Sequence, residues 1–408
     1  MKIIGIVAEY NPFHNGHMYQ LQKSIQETHA DGVIAIMSGN FVQRGHPAFF
    51  DKWLRAKMAL SCGVNVVIEL PTYYATSSAE QFAYGAISLL DRTNVVNHLC
   101  FGTENMNKYA FEQIARVLAD EPNDYREALG EALSRGSSYP SAREEALRRC
   151  LPIADIPNAP NSILGIEYYK ALYQQKSPIV PHLIKRTGSG YNDESMNSPL
   201  ASATAIRKAY FEESPSFDFA PFIPSSCLQL IDAETPQGIS IQAFESILLY
   251  LLRSQNAQSL SIYREVTEGL EHKLVKAAKY CATYEDLVNA IKSKRYTSTK
   301  ISRMLLNILL GIEKEFEAST HLGYLRVLGF DDTGRRILKE IKTKSDLTII
   351  SNMNHINDAL KSNPLLQLDI KASDIYQLGF QNQTQRVAAR DLTEPIIIWR
   401  KHDEKSFR

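Results

Sequence analysis

The sequence is poor in residues that would tie it together covalently. Its five cysteines, Cys62, Cys100, Cys150, Cys227 and Cys281, are odd in number, far apart and without a C-x-x-C pair. That spacing argues against a disulfide framework or a zinc site and suits a reducing compartment. Long hydrophobic runs are missing too. No stretch approaches the ~20 apolar residues of a membrane span. The first apolar run, Ile3–Ala8, is too short for the core of a signal peptide and passes straight into a turn. The expectation is a cytoplasmic protein with no membrane contact. Excess charge of either sign is also absent, with 45 Lys and Arg against 45 Asp and Glu. Affinity for a nucleic acid would rest on a local patch, not on the overall field. No internal repeat or low-complexity tract occurs.

What is present is an ordinary globular composition. The 408 residues, 44% apolar and 22% charged, are enough for two or three domains. Apolar runs at Ile3–Ala8, Gly32–Met37, Val64–Leu70, Val95–Phe101 and Ile179–Ile184 read as five strands, the first as one buried on both faces. Helical patterns lie between them: Gly16–Glu27, Lys52–Ser61 behind an Asp51 cap, Ser77–Leu90, and Ser162–Gln174 with Asn161 as cap. This alternation predicts βαβ units, an α/β fold with a Rossmann-like parallel sheet, and ligands at the carboxyl ends of the strands. A Gly/Ser/Asn-rich loop follows the fifth strand to about Pro199. Composition shifts at 212–224. The expected division is 1–212 as the sheet domain, 213–320 as a mainly helical region and 321–408 as a small α+β end. Helices are expected at Ile239–Arg253, Tyr263–Tyr280, Thr283–Ser293 and Ser298–Phe316, with short strand-like segments at Leu347–Ile350 and Pro395–Trp399. The polar tail from Lys401 reads as frayed.

The first strand ends in Glu9-Tyr10-Asn11-Pro12-Phe13-His14-Asn15-Gly16-His17. A helix start presents unpaired N–H groups and the positive end of its dipole to an anion. Gly16 lets backbone and phosphate come close. Two imidazoles three residues apart on that first turn can donate to phosphate oxygens and stabilise charge during adenylyl transfer. A second helix start, Ser202-Ala203-Thr204-Ala205-Ile206-Arg207, offers hydroxyls, N–H groups and a guanidinium to the remaining phosphates. Taken alone, it is an ordinary capped helix.

Other positions are open to two readings. Arg44, in Gln43-Arg44-Gly45 after strand two, is a phosphate ligand or a solvated loop residue. Lys52 and Lys57 read better as solvated side chains. Glu9 is a lone carboxylate near a phosphate site, weak ground for placing Mg2+. Lys292, Lys294, Arg295, Lys300 and Arg303, interleaved with Tyr296 and hydroxyl residues, contain no acid. The stretch fits an RNA backbone with Tyr296 for stacking, or an ordinary charged face. Arg335, Arg336, Lys339, Lys342 and Lys344 form a second basic stretch, where the ordinary charged face weighs more than in the first.

GIVAEYNPFHNGH, MSGNFVQRG, KWLRAKMAL, VIELP, FGTEN, PNSILGIEY and IKRTGSGY together resemble the bacterial tRNA(Met) cytidine acetate ligase family, within the HxGH nucleotidyltransferases of HUP type. The likeness covers most of 1–210 and continues more loosely through AIKSKRYTSTKISRMLLNILL and YLRVLGF. It implies activation of acetate by ATP as acetyl-adenylate. The acetyl group then passes to the wobble cytidine of elongator tRNA(Met), giving N4-acetylcytidine, AMP and pyrophosphate. By matching motif, the ATP site would comprise Val7, Ala8, Glu9, Tyr10, Asn11, Pro12, Phe13, His14, Asn15, Gly16, His17, Met18, Tyr19 and Gln20, with Gly102, Asn161 and Arg186. Gly102 also reads as a plain turn glycine, Asn161 as a helix cap and Arg186 as a surface arginine. Arg44 becomes a candidate for the acetate carboxylate. ATP is a substrate, with Mg2+ as its companion, and no metal site of the protein's own is expected. The partners are the tRNA and acetate, and a homodimer stays open. Two other readings also stay open. One is a small-molecule adenylyl- or cytidylyltransferase, for which the 200 residues after 210 are more than needed. The other is a non-catalytic RNA-binding protein.

Overall fold

A computed structural model describes residues 1–153, 156–186, 200–213, 216–316 and 322–400. The Gly/Ser/Asn-rich loop over 187–199 and the tail from Lys401 fall outside them.

Five strands form the expected parallel sheet: β1 (Ile3–Ala8), β2 (Gly32–Ser38), β3 (Val66–Leu70), β4 (Val96–Thr103) and β5 (Val180–Lys185). Their spatial order is β3-β2-β1-β4-β5, so β1 is central and the chain reverses direction of growth beside it. Register runs from Ile3↔Gly32 to Ala8↔Met37 between β1 and β2, and from His98↔Val180 to Thr103↔Lys185 between β4 and β5. β1 is apolar because it is covered on both faces: Ile3, Ile34, Val66 and Leu99 join one core, and Ile4, Ile6, Val33 and Val67 the other. The carboxyl ends of β1, β2, β4 and β5 therefore converge at a topological switch point.

The sheet does not end with residue 212. β6 (Tyr324–Phe330) pairs antiparallel with β3, from Val66↔Phe330 to Ile68↔Val327. β7 (Thr348–Ile350) and β8 (Ile397–Ile398) pair parallel with β6. The C-terminal α+β region is thus built onto the edge of the N-terminal sheet. β3 would otherwise expose an apolar edge, which β6 covers. The mainly helical segment has its own core around Phe244, Leu274, Leu306 and Tyr376.

Eight helices matter below: α1 (Asn15–Thr28), α2 (Lys52–Ser61), α3 (Ala79–Arg92), α4 (Pro160–Gln174), α5 (Ala203–Glu213), α6 (Ser298–Leu310), α7 (Asp332–Lys344) and α8 (Pro364–Gln377). Asp51 caps α2 as expected, accepting the Leu54 N–H at 2.9 Å. α6 stops six residues earlier than its pattern suggests, because Gly311 takes φ +65° and closes it. Expected helices at Ile239–Arg253 and Tyr263–Tyr280 shorten to a 3-10 turn followed by Glu245–Ser254, and to Leu270–Tyr280.

Lys52 overturns its reading as a solvated side chain. It is fully buried, with Nζ 2.8 Å from Glu69 on β3 and 2.6 Å from Asp391. Arg326 on β6 completes the group, its Nη2 donating to the Asp391 carbonyl at 3.0 Å. Asp369 on α8 accepts the Thr72 N–H at 2.6 Å and the Tyr324 hydroxyl at 2.7 Å. Burial of so many charges requires that each be paired. Here the pairing joins the N-terminal sheet to the C-terminal region. Lys57 does stay at the surface, 2.7 Å from Glu234.

Candidate active site

The His-x-Gly-His turn is held by its own histidines. His14 is the N-cap of α1, and its Nδ1 accepts the Gly16 N–H at 3.0 Å. His17 Nδ1 accepts the His14 N–H at 3.2 Å. This is a capping box in which imidazoles replace the usual hydroxyl and carboxylate. Gly16 is required because a Cβ there would lie 2.8 Å from the His14 ring. With both Nδ1 atoms accepting, each ring carries its proton on Nε2. The rings lie 3.8 Å apart between centroids, tilted by 33°. Burial, then the nearby Arg186 and Arg207, push His14 down to about 3. His17 is held well below the usual imidazole range by burial, then by His14 and Arg186. Both are neutral N–H donors at pH 7, not cations.

The turn is fastened from three sides. Asn11 accepts the Phe49 N–H on Oδ1 at 2.6 Å, and its carbonyl accepts Arg207 Nη1 at 2.6 Å. Arg207 also reaches Thr204 Oγ1 at 3.3 Å, and Ser202 Oγ caps α5 through the Ala205 N–H at 3.1 Å. The SATAIR helix start is thereby brought to the histidines. Arg55 on α2, fully buried, donates to the carbonyls of Glu9 at 2.6 Å, Ser38 at 3.0 Å and Gly39. It ties off the ends of β1 and β2.

On the other side, Glu104 after β4 is the organiser. Its Oε1 accepts Asn161 Nδ2 at 2.6 Å and lies 3.7 Å from Arg186 Nε. Its Oε2 accepts the Ser162 hydroxyl at 3.0 Å and the Ser162 N–H at 3.2 Å. Asn161 is therefore not the cap of α4; that position is Ala159, without a side-chain bond. Gly102 is no turn residue either. It lies within β4, paired with Ile184, and a Cβ there would sit 3.2 Å from Arg186 Cγ. Its missing side chain makes room for the arginine.

These pieces enclose a cavity of about 680 Å³ at the strand tips. Val7, Ala8, Glu9, Tyr10 and Asn11 form its floor, with His14, His17 and Gln20. Among the described residues, Arg44, Arg186, Arg207 and Lys208 line it against a single acid, Glu9, so this lining favours an anion. Gly102 and Asn161 lie on one wall, and Ser202 and Thr204 on another. Phe82, Phe101 and Tyr168 give it an apolar end. A polyanion with an aromatic base matches this lining.

The HIGH Nucleotidyl Transferase family model matches residues 1–391. A tRNA(Met) cytidine acetate ligase of Caldanaerobacter subterraneus subsp. tengcongensis is 43% identical over 404 residues, covering 97% of this chain and 100% of that protein. One from Clostridium perfringens is 40% identical over 413 residues, covering 98% and 100%. The chain belongs to the tRNA(Met) cytidine acetate ligase family. The crystal structure of Thermotoga maritima TmcAL, apo, superposes with a TM-score of 0.92 at 34% identity, covering 98% of this chain and 100% of that one. The same protein bound with alpha-thio ATP gives 0.90 at 34% identity, with the same coverage.

Not every residue that the family resemblance assigned to the site reaches the cavity. Pro12, Phe13, Asn15, Gly16, Met18 and Tyr19 are outside its lining. Phe13 is in the core, and Asn15 Nδ2 donates to the Pro221 carbonyl at 3.1 Å. Phe13 and Asn15 thus anchor the turn, while Met18 and Tyr19 continue α1. The basic run is placed differently again. The Tyr296 ring is buried and its hydroxyl donates to Glu268 at 2.7 Å, so it is not available for stacking. Arg295 pairs with Glu268 at 2.8 Å and Arg303 with Glu265 at 2.9 Å. Lys292 and Lys294 remain exposed.

Glu104 and Arg55 escape a reading of the sequence for cations and histidines. Glu104 stands in FGTEN beside Gly102. Arg55 is hidden inside the apolar pattern of KWLRAKMAL, where a charge with no helical partner was the available signal.

Proposed function

We propose that this chain activates acetate with ATP and acetylates the wobble cytidine of elongator tRNA(Met), releasing AMP and pyrophosphate. The observation that carries the reading is the cationic cavity built on two neutral, backbone-locked histidines, in a chain similar from end to end to cytidine acetate ligases. The C-terminal half is included in that similarity, which disfavours a bare small-molecule nucleotidyltransferase. The site of action would be the cytoplasm.

In the first step an acetate oxygen attacks the α-phosphorus and the bond to the β-phosphate breaks. Negative charge grows on the α-phosphate oxygens and the departing pyrophosphate. His14 and His17 donate Nε2–H there without reorganising, and the start of α1 adds the positive end of its dipole. Arg186, Arg207 and Arg44 stabilise the pyrophosphate, with Ser202 and Thr204. In the second step the cytidine N4 attacks the acetyl carbonyl, the carbon–oxygen bond to the phosphate breaks and AMP leaves. The amine gives up one proton. The chain's own share is positioning and electrostatics, with no covalent enzyme intermediate. Any Mg2+ would be supplied with the nucleotide, where it would neutralise phosphate charge. Glu9, the one acid in the lining among the described residues, has Oε1 committed to the Gln43 N–H at 3.0 Å. No cluster of three metal-ligating side chains occurs among the described residues.

The test is incubation with ATP, labelled acetate and total tRNA. Labelled N4-acetylcytidine with AMP and pyrophosphate in equal amounts is expected. Acetyl-adenylate without transfer, or no acetate dependence, overturns the reading.

A further inference from the structure

The cavity has a second end that the nucleotide reading leaves unused. Phe101 and Tyr168, with rings 5.4 Å apart, close the end beside β4 and α4. The other end lies between α5 and the 239–242 segment, and Phe211 stands there. Phe211 is 44% exposed, whereas every other described phenylalanine is buried or half-buried. An open aromatic ring on the wall of a cationic cavity keeps apolar area in water unless a ligand covers it.

Its placement follows from helix geometry. Thr204, Arg207, Lys208 and Phe211 are spaced i, i+3, i+4 and i+7 on α5, so they share one face, and all four line the cavity. The helix that offers hydroxyl and cation at its start thus presents a ring two turns on. The ring is braced. It meets Phe49 at 5.6 Å and Tyr210 at 5.2 Å, both nearly edge-on, and Phe49 is itself held by Asn11. Ser240 and Gln242 line the same end and bring hydrogen-bonding groups beside it.

We propose that Phe211 is the platform on which the acceptor cytosine stacks as it enters the cavity. The inference rests on the functional reading above and names the residue that receives its second substrate. Single-stranded RNA bases are typically seated on aromatic side chains, with polar groups reading their edges. An anticodon base is already unpaired, so the ring needs only to hold it with N4 directed along the cavity towards the α-phosphate.

The experiment compares wild type, F211A, F211L and F211W in the full chain. Acetate-dependent ATP–pyrophosphate exchange is expected to stay within twofold in all four. kcat/KM for tRNA should fall about tenfold to a hundredfold in F211A and F211L. F211W should recover to within a few-fold of wild type. F211L keeps apolar bulk without a π face, so it separates stacking from packing. F211W fluorescence should also be quenched by an anticodon stem-loop RNA carrying the cytosine, and much less by the same RNA with an abasic site there. Loss of exchange in parallel with transfer would make Phe211 part of the ATP site and overturn the proposal. So would unchanged transfer in F211A, or equal quenching by the abasic RNA. If wild type exchanges pyrophosphate but acetylates no tRNA, the functional reading fails by itself. The quenching comparison still decides whether Phe211 seats a base.

Discussion

Lys52 Nζ lies 2.8 Å from both carboxylate oxygens of Glu69, and neither side chain reaches solvent. Asp391 approaches the same ammonium at 2.6 Å and brings Arg326 with it. Two cations and two anions are thus balanced inside the protein, and they link α2, β3 and β6 to the C-terminal region. Removing one partner leaves a buried charge uncompensated. Lys52→Met should therefore cost about 3–5 kcal/mol. Urea unfolding monitored by circular dichroism checks it. A loss under 1 kcal/mol (far below that range) would mean that the network relaxes or takes in water.

His17→Ala should behave differently. Its Nδ1 bond to the His14 N–H makes it part of the α1 cap, so stability should drop by about 1 kcal/mol. The larger effect is expected in chemistry. Loss of a donor aimed at developing charge should slow acetate-dependent ATP–pyrophosphate exchange about 10²–10³-fold. Exchange at the wild-type rate would remove the histidine from the mechanism.

Stability should fall in acid through His14. Its folded-state pKa, about 3, lies below the ordinary 6.5, so the unfolded chain binds more protons between those values. The contribution is full above about pH 6.5 and is lost as pH drops towards 3, by up to ~1.4 kcal/mol per pH unit. His14→Asn keeps a good capping residue and removes the titration. Urea midpoints from pH 7 to pH 4 should decline less steeply in that variant, and parallel slopes would exclude His14 as the cause.

Glu104→Ala should loosen the nucleotide wall without unfolding the protein. It removes the acceptor of Asn161 Nδ2 and of Ser162, and frees Arg186. KM for ATP is expected to rise about tenfold, in line with the loss of a charge-assisted bond or two. Glu104→Gln should retain part of the effect. An unchanged KM in the alanine variant would show that Asn161 and Arg186 hold their places unaided.

The basic run makes a prediction about salt. Arg295 and Arg303 are already paired with Glu268 and Glu265, which leaves Lys292, Lys294 and Lys300 as the principal cations for phosphate. Replacing all three by alanine should reduce the log–log salt slope of tRNA binding by about 2, at ~0.7 per contact. Filter binding at several salt concentrations measures it. An unchanged slope would place the tRNA backbone elsewhere.

The parts of this protein legible in the sequence are those set by neighbours along the chain. Five strands and the two helix starts follow from apolar runs and capping, and these depend on a few consecutive residues. The histidine turn is of that kind: strand, HNGH and helix follow one another along the chain, and the cap is closed by His14 and His17 themselves. Where the sequence misled, a distant partner decided. Asn161 satisfies a capping rule but is claimed by Glu104. Tyr296 sits in a basic run but is drawn into the helical core and bonded to Glu268.

The sequence by itself determined the parallel sheet and the helix starts at its tips, because periodicity and capping are local. Only the tertiary structure decided that β6 and β8 extend that sheet, that Lys52 is an internal ion and that Phe211 stands uncovered on the cavity wall. Burial and charge pairing join residues from opposite ends of the chain. A charge in water and a charge in a buried pair are written with the same letter, and the surrounding dielectric and partners tell them apart.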